Sequence, residues 1–183
     1  MRAPAALLAC LALSACAAPE PTPFRPSSTT REIMNGVIDP SADALWDAVE
    51  VVATLEGTEH KQPRTDDDWK VLRGHAVTLV EASNLLLIPG RHVAQAGQKA
   101  EDPRVDLNPE EIEVLILKDA GAWATRAHRL HDAAVEALKA IDAKDVNALL
   151  NAGETLDGAC ESCHRNYWYR TPPPELPPAG GQP

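Results

Sequence analysis

The feature that most constrains this chain is a pair of cysteines followed by a histidine, set in the apolar seam of its last predicted helix. Cys160 and Cys163 stand three positions apart, and His164 follows at once. This spacing lets two thiols form thioethers with the vinyl groups of a porphyrin, and it places an imidazole beneath the iron. The motif therefore predicts one covalently attached haem c, held by Cys160 and Cys163, with His164 as an iron ligand. Gly153 and Gly158 in the same helix leave room for a flat ligand.

Two other kinds of site use a Cys-x-x-Cys pair, and the sequence supports them less well. A structural zinc site needs four ligands, and no second Cys/His pair stands at a suitable spacing. A thioredoxin-like redox pair needs a strand-to-helix turn within a βαβ unit, and the residue pattern contains no such unit.

The composition favours helices over sheets. Ala and Leu dominate the apolar 44% of the 183 residues, whereas aromatic residues make up only 4%, and sheets are rich in β-branched and aromatic residues. The length suits one domain with tails. The net charge of −10 argues against a nucleic-acid partner and against an anionic membrane surface, and it suits a basic protein partner.

The N-terminus has the pattern of a bacterial export signal. Residues 1–15 combine a basic start with a short apolar run, which ends in Leu-Ser-Ala before Cys16, and this run is too short to span a bilayer. The ending resembles a lipobox, which implies that Cys16 is acylated and becomes the mature N-terminus; ordinary signal cleavage is the alternative. The predicted location is the periplasm, with a lipid anchor in the outer membrane. Residues 16–28, rich in Pro, Ser and Thr, then form a tether.

Apolar residues recur every three or four positions in four stretches, which predicts four amphipathic helices. The predicted helices are a first over 29–56 that is interrupted at Asp39-Pro40, a second that Thr65 caps and Pro89-Gly90 ends, a third that runs from Asn108 to Ile141, and a fourth that Asp145 caps. The fold expected for 29–170 is an all-α four-helix bundle with haem attached near the end of the last helix.

Two segments lie outside these helices. The polar loop at 89–107 is longer than a bundle needs, and it is either a solvated insertion or part of a haem edge or a partner surface. The Pro/Gly-rich tail at 171–183 is predicted to be disordered.

The arrangement resembles the class II c-type cytochromes, the cytochrome c′ family, over roughly residues 29–170. In that family haem is attached at the end of a four-helix chain, so the resemblance implies thioether roles for the two motif cysteines and the fifth-ligand role for the histidine. Tyr167 matches the aromatic residue that usually follows three positions later. The family commonly continues with an arginine, whereas this chain has Trp168 there and its arginine at Arg170. The lipoprotein start and the long loop are further departures.

In this family one residue of the first helix separates electron carriers from gas-binding proteins. A methionine gives six-coordinate, low-spin iron, whereas an aliphatic residue leaves the iron open to nitric oxide or carbon monoxide. Met34 is the only methionine left after signal removal, and it stands where the resemblance places this ligand. A thioether sulfur stabilises ferrous haem. The alternatives are Ile33 or Val37 on a rotated helix, bis-histidine ligation through His75, or a methionine that merely fills the core.

The other chemistry-bearing residues are interpreted as structural. His128 and His131 lie one turn apart, and a solvated face beside Arg126 and Arg129 explains them more simply than a metal site. No Ser/His/Asp set, phosphate loop or carboxylate pair has supporting context, which argues against an enzyme with its own substrate. The tryptophans expected to pack in the core or against haem are Trp46, Trp69 and Trp123.

Together these features predict a lipid-anchored monohaem cytochrome that carries single electrons between periplasmic partner proteins, with His164 and Met34 as axial ligands. Two alternatives remain: a five-coordinate haem protein that binds NO or CO, and a haem-bearing structural subunit of a membrane-attached complex. Redox proteins are the expected partners, and the resemblance implies a possible homodimer through the first two helices.

Overall fold

The computed structural model describes residues 23–55 and 57–170. Within them the chain is mostly helical, with one small two-stranded sheet. Predictions on the signal peptide (1–15), Cys16 and the tail at 171–183 lie outside the described residues, as does most of the tether. The elements in chain order are α1 (Thr30–Ile33), a π-helical segment (Met34–Ile38), α2 (Asp39–Trp46), β1 (Glu50–Thr54), β2 (Gly57–Lys61), α3 (Asp66–Leu85), α4 (Pro109–Lys118), α5 (Ala120–Asp142) and α6 (Val146–Tyr167).

The first helical stretch begins at a capping box and then passes through its proline without a break. Thr29 Oγ1 accepts the backbone N–H of Glu32, and Glu32 Oε2 accepts the backbone N–H of Thr29. Proline lacks an N–H and clashes with the carbonyl one turn back, so an α-helix normally kinks there. Here the turn before Pro40 is a wider π turn, in which the Asp39 N–H bonds the Met34 carbonyl five residues back. The extra residue relieves the conflict, and the helix continues.

The helix ends at Trp46, so the prediction that it extends to residue 56 is wrong. The chain instead forms an antiparallel hairpin, with β1 paired to β2 from Glu50–Lys61 to Thr54–Gly57. The β-branched pair Val51-Val52 favours extended backbone, and Gly57 takes a φ of +140° that other residues rarely adopt. Val52 and Leu55 are exposed, so their helical spacing did not mark a buried face.

The second predicted helix is confirmed as α3, whereas the third is divided in two. Thr65 caps α3 by accepting the Asp68 N–H. Between α4 and α5, Asp119 leaves helical geometry with φ −142° and ψ 73°, and its side chain accepts the Ala122 N–H at 2.8 Å. An aspartate that bonds nearby backbone in this way competes with helix continuation and starts a new helix. The apolar periodicity continues across the break and hides it.

The helices surround a core in which α3 packs against α5, α5 against α6, and α2 against both α3 and α6. The fourth predicted helix is confirmed as α6, with Asp145 Oδ1 accepting the Ala148 N–H. The most deeply buried large side chains of the core include Leu45, Leu79, Leu149 and Leu156. None of the helices in the described part of the chain is both long and apolar enough to cross a membrane.

The long loop at 89–107 is attached to the start of α1 rather than free in solvent. The backbone N–H groups of Thr30 and Arg31 donate to the carbonyls of His92 and Val93, at 2.9 and 3.0 Å. Val93 is 1% exposed. Because the first N–H groups of a helix have no partner within the helix, the loop completes the hydrogen bonding of α1.

Candidate functional site

A cavity of about 400 Å³ lies among the π-helical segment, α2, α5 and the end of α6, with the loop before α4 at its edge. Its volume falls within the range of small-molecule and cofactor sites. Cys160, Cys163, His164 and Met34 all line this cavity. Met34 stands more than 120 positions before the motif in the sequence. The fold therefore brings together the residues that the sequence predicted as one site.

The motif lies in this cavity because α6 is amphipathic with a regular helical period. Leu149, Leu156 and Ala159 are buried on its inner face, and Cys160 and Cys163 continue that face as half-buried residues. The spacing of three and four along a helix puts these side chains on one side. The predicted inward position of both cysteines is confirmed.

Both motif cysteines are uncharged thiols at neutral pH. Burial raises the pKa of Cys160 to about 11, and the Asp157 carboxylate adds to the effect. Burial also raises the pKa of Cys163 to about 11, while the Arg126 guanidinium acts in the opposite direction. The two sulfurs do not form a disulfide. They are thus free thiols in a largely apolar wall, a setting that suits bonds to an apolar macrocycle.

His164 is held at the last turn of α6 between the cavity and two aromatic rings. Its ring centroid lies 6.5 Å from that of Trp168 and 6.3 Å from that of Tyr169. Burial lowers the pKa of His164, and this effect outweighs the carboxylates of Glu161 and Asp39. The imidazole is therefore neutral at pH 7, which is the form that binds a metal ion.

Met34 reaches the same cavity from the first residue of the π-helical segment. It is half-buried and packs against the core. A π turn changes the direction in which the following side chains point, and such turns are frequent at functional sites. The thioether of Met34 and the imidazole of His164 thus come from different elements but border one space.

The alternatives to Met34 considered from sequence, aliphatic Ile33 or Val37 and the histidine His75, do not share this position. Ile33 is buried in the core, and Val37 borders a separate surface groove beside Val77 and Leu85. His75 is half-buried on α3 and does not belong to the cavity wall. Among the described residues, Met34 is the thioether that faces the motif's cavity.

Two of the three predicted packing tryptophans form walls of the cavity, and the third lies in the core. Trp123 donates from Nε1 to the Leu86 carbonyl at 2.9 Å, and Trp46 donates from Nε1 to the Gly153 carbonyl at 3.0 Å. Trp69 is buried elsewhere in the core. Gly153 was expected to leave room for a flat ligand, but a Cβ at that position would lie 3.2 Å from Trp46 Cδ1. It makes room for Trp46 instead.

Two arginines near the cavity were not predicted from the sequence. Arg126 lines the cavity rather than the solvated face assigned to it, and its Nη1 donates to Ser162 Oγ at 2.9 Å within the motif. Arg31 is 8% exposed, donates from Nη1 to the Lys99 carbonyl at 3.0 Å, and lies 5.5 Å above the Trp168 ring. Nε of both residues and Nη2 of Arg31 are buried without a hydrogen-bond partner within the described structure.

A sequence signal existed for one of these arginines. Arg126 follows Trp123 by three positions and precedes Ala127, so it borders the apolar stripe of α5. A charged residue at the edge of such a stripe often buries its stem. The position of Arg31 depends on the fold of the loop at 89–107, for which the sequence carried no pattern.

Part of the long loop also borders the cavity. Val93 and Glu101 contribute to its wall, and Ala100 and Asp106 are buried. The end of α6 is attached to the same region, since the Leu107 N–H donates to the Trp168 carbonyl at 2.8 Å. The interpretation of this loop as a solvated insertion is therefore wrong for these buried residues.

The remaining histidines do not form a metal site. His128 is exposed, His131 pairs with Asp132 at 3.2 Å, and His92 pairs with Glu113 at 3.1 Å. Across the described residues no three or more His, Cys, Asp or Glu side chains are close enough together to hold a metal ion. A zinc site, which needs four such ligands, has no ligand set there.

Comparisons of the chain with protein-family models, curated proteins and solved structures gave no significant match.

Proposed function

We propose that this chain is a monohaem c-type cytochrome that carries single electrons, with His164 and Met34 as the axial ligands of the iron. The observation that carries the proposal is the common cavity of Cys160, Cys163, His164 and Met34. Two thiols, a neutral imidazole and a thioether are the groups needed to attach a haem and to ligate its iron on both faces.

The residues around the cavity fit a haem in two respects. The wall is largely apolar and includes the rings of Trp46 and Trp123, which suits a flat hydrophobic macrocycle. A haem also carries two carboxylates, and the buried guanidinium N–H groups of Arg31 that have no partner within the described residues are donors suited to anions. The iron of bound haem supplies a one-electron couple.

Within this proposal each residue has a defined task. Cys160 and Cys163 would bind the macrocycle covalently to α6. His164, held next to Trp168 and Tyr169, would hold the iron through its neutral nitrogen, and Met34 would hold it through its sulfur from the π-helical segment. Ligands on rigid helices change little between redox states, which favours electron transfer over ligand binding.

The corresponding fold proposal is a class II cytochrome bundle. Its four members are the stretch from α1 to α2, then α3, α5 and α6, with the attachment site at the end of the last. The contacts of α3 with α5, α5 with α6 and α2 with α3 support it. The hairpin, the short α4 and the structured loop are additions to that pattern.

The proposed setting is the periplasm, with a lipid anchor at Cys16 in the outer membrane. This part rests on the sequence of residues 1–28 and on the haem motif, because c-type haem is attached outside the cytoplasm. The partners are redox proteins, and the net charge of −10 favours a basic surface on them. The proposal also includes a homodimer of two copies of this chain.

The proposal is tested by spectra of the protein produced together with a haem-attachment system. We expect covalent haem and a low-spin spectrum in both oxidation states, with little reaction of the ferrous form with carbon monoxide. Met34→Ala should convert this spectrum to a high-spin one that binds carbon monoxide, because the sixth position is then open.

Val37→Ala is the matched control, since Val37 lies one turn away and does not line the cavity; its spectrum should stay low-spin. A wild-type protein without covalent haem would contradict the whole proposal. A high-spin wild type would contradict the role of Met34 and favour the five-coordinate alternative.

A further inference from the structure

Arg126 is a positively charged residue that lines the cavity. It extends from α5 to the motif, where its Nη1 donates to Ser162 Oγ at 2.9 Å. Its guanidinium carbon lies 5.9 Å from the Tyr167 ring centroid. Among the described residues that line the cavity, it is the one with a permanent positive charge.

The charge of Arg126 is not neutralised by a nearby carboxylate. Within the described residues it has no ion pair closer than 4 Å, and its Nε is buried without a partner. Arg126 and Cys163 line the same cavity, so the charge acts on whatever that cavity holds. A cation in this setting is screened less than one on the surface.

The acidic side chains at the cavity are better screened. Asp39, Glu101 and Asp157 are exposed to solvent, and Glu161 pairs with Arg165 at 2.8 Å. Solvent and the neighbouring cation reduce the field of these carboxylates. Arg126 therefore contributes a fixed positive charge on the α5 side of the cavity.

We infer that Arg126 is a tuning residue that raises the reduction potential of the iron held by His164. This inference rests on the proposed function. When ferric haem takes up one electron, the net positive charge at the iron falls by one unit, so a nearby fixed cation favours the ferrous form. Arg126 thereby sets which one-electron donors and acceptors the protein exchanges electrons with.

The test is a spectroelectrochemical titration of the purified holoprotein, in which the electrode supplies the electron. Arg126→Gln removes the charge, and we expect it to shift the ratio of oxidised to reduced protein at a fixed potential by about tenfold towards the oxidised form. For a one-electron couple this equals a fall of about 59 mV in the midpoint. Arg126→Lys keeps the charge and should keep most of the wild-type midpoint.

Two variants separate the charge from the hydrogen bond. Arg129 also donates to Ser162 Oγ, at 3.3 Å, but it is exposed and does not line the cavity, so Arg129→Gln should leave the midpoint nearly unchanged. Ser162→Ala removes the shared acceptor and keeps both charges, and its midpoint should also stay close to that of the wild type. Arg126→Met is the second neutral variant if Arg126→Gln does not fold.

The outcomes distinguish this inference from the function on which it rests. A wild type without covalent haem overturns both. Covalent haem with equal midpoints in Arg126→Gln and Arg129→Gln overturns the tuning role alone. A fall that Ser162→Ala reproduces also overturns it, because the hydrogen bond and not the charge would then be responsible.

Discussion

Burial sets the protonation states of individual side chains in the cavity. The Cys160 and Cys163 thiols have raised pKa values and the His164 imidazole a lowered one, and in each case burial is the largest cause. Low dielectric surroundings disfavour charge, so acids stay protonated and bases stay neutral. The motif thus presents two thiols and one free imidazole lone pair at neutral pH.

The two glycines of α6 offer a prediction at the residue scale. An alanine at Gly158 would meet nothing within 4 Å, whereas one at Gly153 would lie 3.2 Å from Trp46 Cδ1. Gly158→Ala should raise the free energy of unfolding by about 0.5–1 kcal/mol, because alanine loses less backbone entropy in a helix.

Gly153→Ala should fall short of that gain or reverse it, since Trp46 has to move and its hydrogen bond to the Gly153 carbonyl is strained. Urea titrations of both variants, followed by circular dichroism and tryptophan fluorescence, measure the difference. Equal stabilisation by the two changes would show that Trp46 accommodates the methyl group at no cost.

At the scale of elements, the helix starts follow one local rule. The capping boxes at Thr29 and Thr65 each combine a side-chain acceptor with a carboxylate three residues later, and at Asn108 the Glu111 carboxylate accepts the Asn108 N–H. Each carboxylate accepts backbone N–H groups that the helix itself leaves without partners. These boxes were visible in the sequence because both partners lie within four residues.

The carboxylates of these boxes predict an acid dependence of stability. Backbone hydrogen bonds lower the pKa of Glu32, Asp68 and Glu111 below their ordinary values of 4.5, 3.8 and 4.5. A carboxylate with a lower pKa in the folded state stabilises the fold above its unfolded pKa, and this contribution is lost as the pH falls through the folded value. Urea midpoints should therefore decline below about pH 4.5.

The triple variant Glu32→Gln, Asp68→Asn, Glu111→Gln should show a weaker decline, because these positions no longer take up protons on unfolding. Glu154→Gln, which changes an exposed carboxylate away from any capping box, is the control for a change in net charge. An unchanged acid slope in the triple variant would contradict the role of the capping boxes.

At the scale of the whole molecule, the packing of part of the core depends on whether a ligand fills the cavity. Helices α2, α5 and α6 contribute walls to a space of about 400 Å³, and an unfilled space forfeits the contacts its lining would otherwise make. A ligand that binds only the folded state shifts the folding equilibrium towards that state. Under the proposed function, haem supplies this contribution.

The double variant Cys160→Ser, Cys163→Ser removes the attachment points, and without haem we expect it to unfold at a lower urea concentration than the holoprotein. Hydrogen exchange should quicken most at the end of α6 and in the π-helical segment, since both border the cavity. Leu79 and Leu149 lie in the core away from the cavity wall, and their backbone amides should remain protected from exchange. The far-UV circular dichroism should remain helical. Equal midpoints and equal exchange would contradict a structural dependence on the cofactor.

Local patterns predicted much of this protein, and they failed where two patterns competed. The starts of α1, α3, α4 and α6 and the inward face of the motif follow from caps and helical periodicity. The same periodicity concealed the hairpin after Trp46 and the break at Asp119, because apolar spacing does not register exposure or a single nonhelical residue. The π turn before Pro40 was also hidden, since a kink and a wider turn are alternative responses to one proline.

The sequence by itself determined the motif, the helical class and the candidate ligands, because these depend on residue type and on spacing within a few turns. The tertiary structure decided which side chains share the cavity. It brought Met34 rather than Val37 or His75 to the motif, and it placed Arg126 in the cavity and Arg31 under the loop at 89–107. Such contacts join residues tens of positions apart, and their geometry depends on how the π turn, the break at Asp119 and the loop orient whole helices.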